Sequence, residues 1–273
     1  MNMAGRTGRS EGRLAANRFS VWLLNILMAL VAAFATVADA GSITVAAASD
    51  LQFAMREVVA GFRAAHPDDS VDIIYGSSGK FSAQIANGAP FDLFFSADIA
   101  YPRALEKQGL TSGPAKAYAI GRIVLFSLKP ELGRLSLHEL PTAAIRKFAI
   151  ANPDHAPYGK RAQEALEHAG VWAAMQPKLV RGENIAQTVQ FIDSGAADAG
   201  IVALSLVLAP GMQERGTWTL IPDTWHAPLE QGYVITRRAN GNPLADAFAA
   251  WIDSDAARMI MRRYGFVLPG VAE

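Results

Sequence analysis

The stretch ITVAAASDLQFAMREVVAGFRAA, residues 43–65, decides how the chain is to be read. Ile43 to Ala48 is a short β-branched and apolar run of strand length. From Leu51 the period changes: Leu51, Met55, Val58, Val59 and Phe62 recur at spacings of three and four, which places them on one helical face, with Arg56, Glu57 and Arg63 opposite. His66-Pro67 ends the helix, because the residue before proline is driven out of the α region. Strand, Ser49-Asp50 turn and helix make a βα unit.

The same alternation continues downstream. Val71 to Tyr75 reads as a strand, Gly76-Ser77-Ser78-Gly79 as a tight turn, Lys80 to Asn87 as a helix closed by Gly88 and Pro90, and Asp92 to Ser96 as a short buried strand. Further strands are predicted at 122–128, 148–151, 199–203 and 232–236, with helices at 160–169, 185–194 and 243–264. Such alternation implies an α/β protein of mostly parallel sheets flanked by helices. Crossovers are expected near Tyr118 to Gly121 and Trp225 to Gly232. The chain then divides into a discontinuous first lobe, 41–119 plus 229–273, and a second lobe, 120–228.

Residues 1–40 are set apart as an export signal. Arg6, Arg9, Arg13 and Arg18 precede an apolar run from Val21 to Ala35 broken only by Asn25, and Ala38-Asp39-Ala40 offers a small-x-small cleavage site, so the mature chain is expected to begin near Gly41. The apolar run is shorter than the ~20 residues a membrane-spanning helix requires. No Arg-Arg pair appears in this basic region, which favours unfolded export over a twin-arginine route. The 273 residues contain no cysteine, so neither disulfides, thiolate metal sites nor an N-terminal lipid are expected. Lys plus Arg and Asp plus Glu both number 25, a balance that argues against a nucleic-acid partner. An anion receptor of this composition has to select by oriented neutral donors.

Four places share one local grammar, in which a strand ends, a small or polar residue turns the chain, and a helix begins: Ala48-Ser49-Asp50-Leu51, Gly76 to Lys80, Ala156-Pro157-Tyr158-Gly159-Lys160, and Gly182-Glu183-Asn184-Ile185. In a parallel α/β sheet such turns lie at the carboxyl edge, where ligands bind. Each presents unpaired first-turn N–H groups and the positive end of a helix dipole. Singly, each is explained by helix capping, which Ser, Asp and Asn favour without any ligand. Together, with the Ser49 and Ser78 hydroxyls, they would make a cage for an oxygen-rich anion.

Ala46-Ala47-Ala48-Ser49, Gly76-Ser77-Ser78-Gly79 leading into Gln84-Ile85, the run Gly88 to Asp98, Asn152-Pro153 with Ala156-Pro157-Tyr158-Gly159, Gly200-Ile201-Val202 and Arg263-Tyr264-Gly265-Phe266 together resemble the molybdate-binding proteins of ABC importers over nearly the whole mature chain. The resemblance implies a two-lobed periplasmic binding fold of type II that closes on molybdate or tungstate. It implies as anion ligands Ser49, Asp50, Ser78, Tyr158 and Ile185, the contribution of Asp50, Tyr158 and Ile185 being mainly the backbone N–H. They hold the anion by its oxygens, with no direct metal ligand and no cofactor. It further implies an exported, monomeric, non-enzymatic receptor whose partners are a small inorganic oxyanion and a membrane permease.

The sequence departs from the family in two places. Some members carry a tyrosine just after Gly-Ile-Val whose hydroxyl reaches the anion; here Ala203 stands there, and the Tyr158 hydroxyl is expected to take over. At Asp50 a carboxylate beside a dianion is repelled. The favoured reading turns that carboxylate away to cap its helix; the alternative has it accept a proton from the ligand, which suits phosphate or arsenate. A receptor for these ions or sulfate is therefore kept as a second function class.

An enzyme using Ser78 is the third class. Ser77-Ser78-Gly79-Lys80 formally contains Ser-x-x-Lys, but the Ser-Asp-Asn-like and Lys-Thr-Gly-like partners of acyl enzymes are missing, and the glycine spacing of a P-loop is not met. Lys80 is read as a solvated first-turn residue. His66, His138, His155, His168 and His226 show no metal-ligand spacing, and only His155 adjoins a ligand turn. Trp172, Trp218, Trp225 and Trp251 are dispersed and read as packing.

Overall fold

A computed structural model describes residues 41–270; the expected export signal lies outside the described residues. In chain order the elements are β1 (Ser42–Ala48), α1 (Gln52–Ala65), β2 (Ser70–Gly76), α2 (Ser78–Ala86), β3 (Leu93–Ser96), α3 (Ala100–Lys107), β4 (Lys116–Gly121), β5 (Ile123–Ser127), α4 (Pro130–Gly133), β6 (Phe148–Ala151), α5 (Pro157–His168), α6 (Trp172–Met175), β7 (Leu179–Gly182), α7 (Ile185–Asp193), β8 (Ala199–Ala203), α8 (Leu204–Val207), β9 (Thr217–Leu220), β10 (Leu229–Ile235), α9 (Pro243–Ile252) and α10 (Asp255–Arg263).

They build two five-stranded sheets of the same design, ordered β2-β1-β3-β10-β4 and β7-β6-β8-β5-β9. In each, three strands run parallel and the fourth is antiparallel to both neighbours, so one strand opposes the other four. The reversed strand is the one that has just arrived from the other lobe: β5 follows β4 with only Arg122 between them, and β10 follows β9 across residues 221–228. The first sheet keeps the chain through Gly121, two residues beyond the expected boundary.

Burial follows the apolar pattern. On α1, Ala54, Met55, Val58, Val59 and Phe62 face the sheet, and Phe62 packs edge-on against Phe248 of α9. Each such ring or aliphatic chain, fully removed from water, contributes on the order of 2 kcal/mol. Two separate clusters serve the first sheet, and one large cluster around Phe126, Phe148 and Ile201 serves the second. Ala48 and Ala97, from the first lobe, pack into that second core where the lobes meet.

The helix expected across 243–264 is two helices. The chain breaks at Asp253-Ser254, and the Ser254 hydroxyl caps α10 by accepting from the Ala257 amide at 3.2 Å. Three strands escape the sequence pattern: β4, read as a crossover, and the four-residue β7 and β9.

Candidate ligand-binding site

The strands β1, β2, β6 and β7 end at Ala48, Gly76, Ala151 and Gly182, and the turns that follow converge between the two sheets. They enclose a small cavity, with free space of about 10 Å³, lined by Ser49, Asp50, Ser78, Tyr158 and Ile185, together with Ala97. Each of the five expected ligand residues is therefore brought to one place, and all are buried. The free space is about that of one water molecule, far below the size of pockets that hold drug-sized molecules. A wider groove adjoins it, sharing Ser49 and lined by Gln52, Phe53, Tyr75 and Gln190; it is the open side of the cleft.

The donors are specific. Ser78 is the first residue of α2, Tyr158 the second of α5 and Ile185 the first of α7, while Asp50 is the second of a single 3-10 turn preceding α1. First-turn amides have no acceptor within their own helix. The Ser78 hydroxyl accepts from the Ala97 amide at 3.0 Å, and the Ser49 hydroxyl from the Ala186 amide at 3.2 Å. In both, a lone pair is used and no hydroxyl donation is made among the described residues, so each O–H is available to an anion.

The lobes touch directly around this cavity. Gly79 donates its N–H to the His155 carbonyl at 3.0 Å, and the Ser77 hydroxyl donates to the same oxygen at 2.7 Å. A Cβ on Gly79 would come within 2.7 Å of that carbonyl, so this approach requires glycine. Lys80 pairs with Glu183 and Arg161 with Asp98, each across the cleft. Lys80 is thus a lobe-to-lobe contact. His155 keeps a loop role, with Nδ1 3.0 Å from the Ser77 hydroxyl.

Asp50 departs from the expected cap. Its carboxylate makes no helix-capping bond; Oδ2 instead accepts from Gln231 Nε2 at 2.6 Å and from the Tyr158 hydroxyl at 3.0 Å. The Tyr118 hydroxyl donates to Gln231 Oε1 at 2.5 Å, completing a buried network. Burial raises the Asp50 carboxyl from 3.8 to about 6, against the lowering effect of those hydrogen bonds; the Asp50 and Leu51 amides lie close enough to lower it without meeting hydrogen-bond geometry. Burial and the neighbouring Asp50 charge push Tyr118 and Tyr158 well above the ordinary tyrosine range. The Tyr158 hydroxyl is consequently engaged by Asp50, and does not stand free to replace the donor absent at Ala203.

Gln231 and Tyr118 were missed because both fall in stretches read as crossovers. Gln231, a glutamine that the structure buries completely in the run Leu229 to Ile235, was the one available signal.

Two α/β lobes closing amide and hydroxyl donors on one small shared cavity define a solute-binding protein. The chain belongs to the bacterial extracellular solute-binding protein family, whose model matches residues 43–267. It is 35% identical over 237 residues to the molybdate-binding protein ModA of Azotobacter vinelandii, covering 86% of this chain and 93% of that protein. It is 34% identical over 243 residues to ModA of Rhodobacter capsulatus, covering 88% and 94%. Among solved structures, the periplasmic molybdate-binding protein of Azotobacter vinelandii superposes with a TM-score of 0.78 at 33% identity, covering 83% of this chain and 99% of that one.

Proposed function

We propose that this protein is an exported, non-enzymatic receptor that captures molybdate or tungstate between its lobes and delivers it to the permease of an ABC importer. The reading rests on one observation: first-turn amides and serine hydroxyls from both halves of the molecule line a single small cavity. Ser49 and Ser78 donate their hydroxyl protons, and Asp50, Tyr158 and Ile185 their backbone N–H groups, to the oxygens of the anion. Such fixed neutral donors replace a hydration shell without a counter-charge. The lobes divide near residues 120 and 228, and ligand favours the closed form by completing a shell that neither lobe holds alone.

The receptor acts as a periplasmic monomer and takes no nucleic acid and no cofactor. Names of relatives and the similarity to a molybdate-binding structure support the choice of anion. The unpartnered Asp50 Oδ1 favours one second reading, a protonated phosphate or arsenate whose proton it would accept. Calorimetric titration with molybdate, tungstate, sulfate and phosphate tests both. Tight binding of the first two and none of phosphate is expected; preferential phosphate binding would replace the first reading by the second.

A further inference from the structure

Asp50 is the buried charge that the cage of donors leaves unexplained. It lines the cavity at 1% exposure, and its two carboxylate oxygens differ. Oδ2 already accepts two hydrogen bonds, whereas Oδ1 is buried without a hydrogen-bond partner. No ion pair to Asp50 forms among the described residues. The groups facing it are the Asp50 and Leu51 amides, Gln231 on β10, Tyr158 on α5, Tyr118 on β4 acting through Gln231, and Ser205 on α8, whose hydroxyl donates to the Asp50 backbone carbonyl at 2.8 Å. Of these only the tyrosines titrate, and both are held neutral far above physiological pH. His155 and Glu183 contact Ser77 and Lys80 instead.

A dianion entering this cavity meets the Asp50 carboxyl either as a bare negative group, which repels it, or as an acid whose O–H adds one more donor to a shell made of donors. Since Oδ2 is occupied by two donors, a proton arriving at the carboxylate belongs on Oδ1. We propose that Asp50 binds the oxyanion as a neutral carboxylic acid with its proton on Oδ1, so that one proton is taken from solvent with each anion captured. The inference rests on the oxyanion-receptor reading and adds to it a side-chain contact and a linkage between affinity and pH.

The direction follows from the free protein, where burial already lifts this carboxyl to about 6. The charge of the anion lifts it further. Above about pH 6 the free protein carries a charged Asp50 and the complex a neutral one, so affinity falls by up to about tenfold per pH unit until the carboxyl of the complex itself ionises. Asp50→Asn places a permanent N–H donor where the proton would sit, and removes the dependence.

The test is molybdate titration of the mature protein between about pH 6 and pH 9, a range in which molybdate stays fully deprotonated, in buffers of different ionisation enthalpy. Expected are affinity declining with pH, a binding enthalpy that varies with the buffer as uptake of one proton requires, and loss of both effects in Asp50→Asn, which binds more tightly than the parent at the alkaline end. Affinity independent of pH with no proton uptake in the unmodified protein overturns the inference, whatever the variant does. A decline that survives Asp50→Asn also overturns it, and assigns the proton to another group. Absence of molybdate binding at every pH overturns the receptor reading and this inference with it.

Discussion

The Ser49 hydroxyl, which follows β1 in the first lobe, accepts a hydrogen bond from the Ala186 amide, at the start of α7 in the second, at 3.2 Å. A single side chain therefore joins the halves and lines the cavity they share.

Ser49→Ala and Ser78→Ala each remove one hydroxyl donor and leave an amide, of Ala186 or Ala97, without its acceptor. Each is expected to weaken molybdate binding by about 1–3 kcal/mol, roughly five- to 150-fold. Calorimetry on the two variants checks this; unchanged affinity in both would remove the hydroxyls from the ligand shell.

Gly79→Ala separates closure from folding. The added methyl collides with the His155 carbonyl only when the lobes meet. Overpacking of this kind costs about 1–3 kcal/mol, expected here to appear as lost affinity with the melting temperature of the ligand-free protein nearly unchanged. Parallel titration and thermal unfolding distinguish the two effects.

Stability should respond to Asp50 with a definite sign. Its carboxyl titrates near 6 in the folded protein and near 3.8 when unfolded. The native state therefore holds the extra proton between these values, and stability contributed by Asp50 is lost as pH rises through that window. Asp50→Asn should unfold at higher denaturant than the parent at pH 8, by up to about 3 kcal/mol, with the difference vanishing below about pH 4.

Tyr158→Phe deletes a hydrogen bond that holds the Asp50 carboxyl down. The titration of Asp50, followed by NMR of the carboxyl carbon, should move upward from about 6. Global stability should drop by about 1–3 kcal/mol, because Oδ2 of Asp50 loses a buried partner.

The Lys80 to Glu183 pair spans the cleft with both side chains about half exposed, so solvent screens it. Lys80→Ala should weaken binding by less than about fivefold, an effect that fades with added salt, as for other exposed pairs. Titration at two ionic strengths provides the check.

How much of this was legible in the sequence depends on the range over which each residue acts. The turns at Ser49, Ser78, Tyr158 and Ile185 are local signals: strand, small residue, helix start. Their positions could be read one at a time, and the βα grammar placed them on one edge. The Asp50 network is different, because Gln231 lies 181 residues away and Tyr118 reaches it from a strand mistaken for a connector. No local pattern links such residues. Strands β7 and β9, four residues each and only partly buried, offer too few positions for a period to emerge. The break between α9 and α10 was hidden because apolar spacing continues across it, although Ser254-Asp255 is a helix start in the middle of the run.

The placement of β10 between β3 and β4 has a consequence for synthesis. Until residues 229–235 have been made, the strands on either side of that slot have unsatisfied edges facing one another, and the first sheet cannot be completed. A chain that stops short of β10 can complete the second sheet, whose strands all precede Ile221, but not the first. The first lobe is therefore closed by the last strand of the chain, which fills the slot between β3 and β4 and pairs with both.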